Sequence, residues 1–175
     1  LNFLQNIVDG MDYLHSHNPP VMHRDLKTEN CLITEYFICK ISDFGESKEQ
    51  QYTEEDSYNQ TIVGTPYYIA PEVLKGEYYD NKCDVFSFAI LLACLGISDG
   101  NEKKLFNENL RSGKKLNAVD KRKLKGMSVA NKHAAGWRAD TRDFKWPKEM
   151  EILVEMCWST DPKDRPEFVE ICDVV

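Results

Sequence analysis

Leu1, Leu4, Ile7, Val8, Met11 and Leu14 recur at three- and four-residue spacing, which predicts an amphipathic helix from the start of the chain. Pro19-Pro20 must end it, because proline removes a backbone donor and pushes its neighbour out of helical geometry. The period then changes. Cys31-Leu32-Ile33-Thr34 and Phe37-Ile38-Cys39-Lys40-Ile41 flank Glu35-Tyr36, predicting two short strands joined by a tight turn. Ala70-Pro71-Glu72 opens a short helical stretch through Leu74, which Gly76 stops. From Asp84, the residues Val85, Phe86, Phe88, Ile90, Leu91, Leu92 and Leu95 make a helix apolar nearly all round, ended by Gly96 and Gly100; such a helix is buried in a mainly helical domain. After Trp146-Pro147, Met150, Ile152, Leu153, Met156, Cys157 and Trp158 predict another amphipathic helix, and a turn at Asp161-Pro162 precedes a last helix from Pro166.

Three polar stretches break this pattern. Residues 46–62 carry Glu46, Glu49, Glu54, Glu55 and Asp56 without periodicity and read as a mobile loop. Residues 101–133 are rich in Lys and Arg and read as exposed short helices and loops, either a solvated face or a docking surface for an acidic partner. The third, Met22 to Asn30, sets an acid, two cations and an amide between two apolar segments. Half-buried charges are costly unless paired, so this loop marks a place where ions or phosphates are handled. Antiparallel pairing around residues 35 and 36 would bring Ile41 near Asn30 and return Asp43 to the same loop. The two oxygen ligands, Asn30 and Asp43, suit a hard divalent cation such as magnesium.

Composition narrows the class. A chain of 175 residues, 42% apolar and 29% charged, can bury the core of one globular domain. Because helical spacing is already under way at Leu1, the chain reads as a fragment that begins inside a helix. A net charge of −7 gives no electrostatic reason to expect nucleic acid or an anionic membrane as the main partner. The longest apolar run, Val85 to Ile97, is far shorter than the ~20 residues of a membrane span. The six cysteines form no C-x-x-C pair or His-Cys cluster, which suits reduced thiols in a cytoplasmic protein rather than a disulfide framework or a zinc site.

His23-Arg24-Asp25-Leu26-Lys27-x-x-Asn30, then Asp43-Phe44-Gly45, then Ala70-Pro71-Glu72 resembles the signature set of the eukaryotic protein kinases in its proper order. Asp84-Val85-Phe86-Ser87-Phe88, Cys157-Trp158, Asp161-Pro162 and Arg165-Pro166 are similar to later kinase landmarks, so the resemblance spans residues 1–175. It implies a partial kinase domain: the mainly α C-terminal lobe of the α+β kinase fold, with a short β-hairpin beside the catalytic loop and the N-terminal β lobe absent. It further implies transfer of the ATP γ-phosphate to a protein hydroxyl with ATP and Mg2+ as cofactors. Asp25 would accept or orient the hydroxyl proton, Lys27 would neutralise charge on the transferred phosphoryl group, Asn30 and Asp43 would hold magnesium, and Leu32 would form the apolar floor beneath adenine. Thr65 matches a threonine whose hydroxyl contacts the catalytic aspartate. Lys27 with Gly64-Thr65-Pro66-Tyr67-Tyr68 resembles serine/threonine rather than tyrosine kinases, and Cys157-Trp158 with Arg165-Pro166 resembles their tyrosine-kinase-like group.

The resemblance also implies supporting roles. His23 and Phe44 stack as packing residues, Glu72 pairs with Arg165, and Asp84 anchors the catalytic-loop backbone. Arg24 points to control by activation-loop phosphorylation, with Thr53, Ser57 and Thr61 as candidate sites, unless Glu54, Glu55 and Asp56 already supply the negative charge. Phe86 stands where the family usually has tryptophan, and Ala89 where glycine is common. Only 22 residues precede His23, leaving no glycine-rich loop and no ATP-contacting lysine, so the missing lobe is expected from a parent chain and this chain alone is expected to be nearly inactive. The rival readings are a pseudokinase or regulatory binding fragment and a small-molecule phosphotransferase of kinase-like fold.

Overall fold

Helix α3 (Lys82–Leu95) buries every residue from Cys83 to Cys94, as an all-round apolar pattern requires. In the computed structural model, which describes residues 3–50, 61–97, 110–111, 127–142 and 144–175, the other elements are arranged about it. Helix α1 (Phe3–His15) turns Ile7, Val8 and Met11 inward. Helix α2 (Pro71–Lys75) stops where Gly76 takes a left-handed φ of 67° that lets its N–H reach back to the last carbonyls. Helix α4 spans Val129–Ala134, α5 Lys148–Cys157 and α6 Phe168–Cys172. Helix α1 packs on α6, α2 on α4, and α3 on α5.

Strands are few and short. β1 (Val21–Met22) pairs with β4 (Lys48–Glu49), β2 (Cys31–Ile33) with β3 (Cys39–Ile41), and β5 (Leu110–Arg111) with β6 (Arg138–Ala139), all antiparallel. The β2–β3 turn departs from the sequence expectation. Cys31 faces Ile41 and Ile33 faces Cys39, so the pairing centres on Tyr36 and the loop is Glu35-Tyr36-Phe37. A two-residue hairpin turn of the I′ type needs positive φ at both central positions, which Glu35 and Tyr36 resist; the longer loop asks this only of Phe37, at 57°. The shifted register still delivers the chain to the right place, because Ser42 N–H donates to the Asn30 carbonyl at 2.9 Å.

Other boundaries also move. The polar stretch 46–62 does not begin as irregular loop: Glu46 ends a 3-10 turn that starts at Phe44, and β4 follows, with Gln50 N–H donating to the Pro20 carbonyl at 2.7 Å. A two-residue strand leaves no period-2 signal to read. The basic stretch is not wholly exposed, since Val129, Ala130, Lys132 and His133 are buried in α4. Apart from residues 110–111 and 127–133, that stretch lies outside the described residues. In α5, Ile152 and Met156 stand about half exposed, and the inward face is Leu153, Val154 and Cys157. The last helix starts after Pro166: Glu167 is its N-cap and exchanges capping bonds with Glu170. None of the six cysteines is in a disulfide, and four of them are buried.

The core contains a charged knot. Arg165 forks onto Glu72 at 2.6 and 2.8 Å and also donates to the Ser159 and Lys82 carbonyls. Arg138 donates to the carbonyls of His133, Trp137 and Trp158 and to Thr160 Oγ1. Their guanidinium carbons lie 5.1 and 5.0 Å from the centre of the Phe86 ring, whose neighbour His133 meets it edge-on at 5.4 Å. Glu72→Ala leaves the buried Arg165 charge uncompensated and should lower stability by ~3–5 kcal/mol in denaturant unfolding. Burial, with Arg138 and Lys132 adding to it, pushes His133 down to about 3. A histidine whose folded value is depressed contributes stability above its unfolded value near ~6.5 and loses it as pH falls toward the folded value. Unfolding free energies from urea titrations, measured from neutral pH down to acid, should therefore decline with a component of about 1.4 kcal/mol per pH unit that His133→Gln removes.

Candidate active site

The site is built on one buried carboxylate. Asp84, in the first turn of α3, has no solvent exposure and accepts hydrogen bonds from the backbone N–H groups of His23 and Arg24, both at 2.8 Å, and from His15 Nε2 at 2.9 Å. Asn81 donates to the other ring nitrogen of His15, so one tautomer satisfies both contacts. Held by both neighbouring amides, Arg24 adopts φ 65°, a left-handed conformation that an arginine does not choose unaided.

Beyond that turn, Asp25 meets four donors. Lys27 Nζ lies 2.6 Å from Oδ2, Thr65 Oγ1 2.7 Å and Thr65 N–H 3.0 Å from Oδ1, and Asn30 Nδ2 3.3 Å from Oδ2. Burial alone would raise the Asp25 carboxyl, but Lys27, Thr65 and Asn30 outweigh it and hold it below the usual carboxylate range. Asp25 is therefore an ionised carboxylate at neutral pH. Lys27 also donates to Thr65 Oγ1 at 2.9 Å, so the hydroxyl takes a proton bond from the ammonium while giving its own to the carboxylate. Asn30 Nδ2 closes the loop on the Asp25 carbonyl at 2.9 Å. The Thr65 segment reaches this position because residue 64 is glycine: at φ 107°, a Cβ there would sit 2.8 Å from the Arg24 carbonyl oxygen.

His23 joins the two halves of the site. Its Nδ1 accepts from the Asp25 N–H at 3.3 Å, its Nε2 donates to the Ser42 carbonyl at 3.0 Å, and its ring meets Phe44 edge-on at 5.1 Å. Asp43 follows directly, exposed, at φ 63°, its carboxylate accepting only a long 3.4 Å contact from Gly45 N–H among the described hydrogen bonds. The donor atoms available to a cation are thus the Asp43 carboxylate and Asn30 Oδ1, since both Asn30 bonds use its nitrogen. No group of three or more His, Cys, Asp or Glu among the described residues could hold a metal. Two hard oxygens fit a magnesium ion that draws its remaining ligands from water and phosphate.

The other sequence-predicted residues are spread more widely. Leu32 is 55% exposed on the hairpin. Glu72 and Arg165 form their ion pair in the core, among α2, α3 and the segment before α6. The Arg24 guanidinium binds the Glu46 carbonyl and the Tyr79 hydroxyl, and Thr61 contributes its carbonyl to that same hydroxyl. Thr53 and Ser57 lie outside the described residues. His15, Tyr79 and Arg138 were not singled out from the sequence. His15 had only its place in the last turn of a helix, and Arg138 only its position between Trp137 and Ala139; Tyr79 offered no pattern at all.

The protein kinase domain family matches residues 1–174. A probable LIM domain-containing serine/threonine-protein kinase of Dictyostelium discoideum is 35% identical over 175 residues, covering 100% of this chain and 23% of that protein. The probable serine/threonine-protein kinase SIS8 of Arabidopsis thaliana is 37% identical over 165 residues, 93% of this chain and 14% of its own length. The seven transmembrane domain-containing tyrosine-protein kinase 1 of Dictyostelium discoideum is 36% identical over 174 residues, 98% of this chain and 22% of its length. The chain spans less than a quarter of each of these relatives. By this match across nearly every residue, the chain belongs to the protein kinase domain family.

Proposed function

We propose that this chain is the C-terminal lobe of a serine/threonine protein kinase of the tyrosine-kinase-like group, and that its parent protein moves the γ-phosphoryl group of ATP onto Ser or Thr hydroxyls of a protein substrate. The observation that carries the reading is the Asp25–Lys27–Thr65 triangle, an ionised carboxylate and an ammonium locked together by one hydroxyl. Asp25 accepts or orients the proton of the attacking hydroxyl. Lys27 keeps a positive charge beside the phosphoryl group in transfer, where the protein acts by positioning and electrostatics. Asn30 and Asp43 would hold the magnesium ion, which when bound neutralises charge on the ATP phosphates.

Two features support the finer points. Leu32, Ile33 and Phe44 are each half exposed beside the catalytic loop, an apolar surface suited to the adenine and to an N-terminal lobe supplied by the parent chain. The intact Thr65–Asp25 contact and the names of most relatives favour Ser/Thr as acceptor, although one relative is named a tyrosine kinase. No helix among the described residues is long and apolar enough to cross a membrane, and we place the domain in the cytoplasm, where ATP and reduced thiols coexist. The lobe alone should be nearly inactive.

In the parent protein, assayed with ATP, magnesium and a library of Ser, Thr and Tyr peptides, phosphate should appear on Ser and Thr. Asp25→Asn should lower kcat by at least ~100-fold, the scale of a lost general base. Asp25→Asn turning over at the wild-type rate would remove Asp25 from the chemistry, and transfer confined to Tyr peptides would overturn the acceptor class.

A further inference from the structure

The Arg24 guanidinium, which the sequence marks as a receptor for a loop phosphate, is already engaged by neutral groups. Its Nε donates to the carbonyl of Glu46, at the start of the loop after Asp43-Phe44-Gly45, and its Nη1 donates to the Tyr79 hydroxyl at 3.1 Å. That hydroxyl in turn donates to the carbonyl of Thr61 at 3.0 Å, four residues before Thr65. One guanidinium and one phenol therefore clamp residues 46 and 61 to the catalytic loop. Among the described residues no carboxylate pairs with Arg24.

Tyr79 is equipped for this work. It is 3% exposed, and it lines a small cavity with Arg24, Val63, Ile69, Ala70, Val73 and Cys83. Burial pushes its phenol up, and the lowering influence of Arg24 does not reverse this, so it keeps the proton it gives to Thr61. The segment it holds leads straight into the site: Gly64 lies against the Arg24 carbonyl and Thr65 binds Asp25. A phenol that both receives from Arg24 and gives to Thr61 ties the guanidinium to residue 61 through neutral groups alone.

We propose that Tyr79 is a positioning residue whose hydroxyl, set between Arg24 and the Thr61 carbonyl, holds residues 61–65 over Asp25 without a phosphate on the loop. Resting on the kinase reading above, this predicts a kinase that is active in its unphosphorylated form. Tyr79→Phe deletes the hydroxyl and keeps the ring. In the intact parent protein treated with phosphatase, wild type should retain its kcat within about twofold, whereas Tyr79→Phe should lose about tenfold in kcat, the scale of one hydrogen bond to a charged group, with KM for ATP unchanged. Backbone amides 61–65 should exchange with deuterium at least several-fold faster in the variant while its Tm stays close to wild type.

Unchanged exchange at 61–65 in Tyr79→Phe would overturn the proposal whatever the activity. So would a wild-type enzyme that loses its kcat on dephosphorylation, or a dephosphorylated variant as fast as wild type. If no phosphoryl transfer is detected in any form, the kinase reading fails, and the exchange measurement alone decides the role of Tyr79.

Discussion

A carboxylate with no access to water is tolerable only if hydrogen bonds replace its hydration, and Asp84 recovers three of them from groups distant in sequence. Two of those donors are consecutive backbone amides. Consecutive amides can converge on one carboxylate only if the chain bends sharply between them, and the bend puts Arg24 at positive φ. The same bend sends Asp25 toward Lys27, Asn30 and Thr65 while Arg24 reaches toward Glu46 and Tyr79. The separate partners of the Asp25 carboxylate and the Arg24 guanidinium thus follow from satisfying a buried charge on α3, and α3 is held in place by apolar packing on every side.

The second buried charge system works differently. Glu72 and Arg165 neutralise one another, whereas Arg138 is satisfied mainly by backbone carbonyl oxygens at or just beyond the C-terminal ends of α4 and α5. Burial, with Arg165 adding to it, draws Arg138 down to about 10, which leaves it charged at neutral pH. Both guanidiniums lie over the Phe86 ring, whose π electrons attract cations. This accounts for an aromatic residue at position 86 without requiring the larger indole. Because Glu72 opens α2, the pair also fixes the end of the segment that begins at Thr61 and carries Thr65 to Asp25.

Much of the fold and of the site was legible in the chain because it is written locally. The periodicity of α1, the all-round apolar run of α3 and the stop at Gly76 each depend on residues within a turn or two of one another. The motif from His23 to Asn30 gathers its acid, ammonium and amide within a single loop, so their proximity needs little help from tertiary structure. The hairpin loop is one residue longer than the expected Glu35-Tyr36, because neither residue is a glycine or asparagine that would declare which position takes positive φ. The buried end of the basic stretch was misread for a related reason: Lys132 and His133 are polar by type, and only the packing of α4 on α2 buries them.

What the sequence by itself determined is therefore the inventory of chemistry and the family, since ordered motifs and hydrophobic period survive without coordinates. What the tertiary structure alone decided is partnership. Tyr79 lies 55 residues from Arg24, His15 lies 69 from Asp84, and Thr65 lies 40 from Asp25. No spacing rule reaches across such separations. These contacts exist because burial makes each polar group find a partner within the space the helices leave, and that matching is a property of the packed molecule.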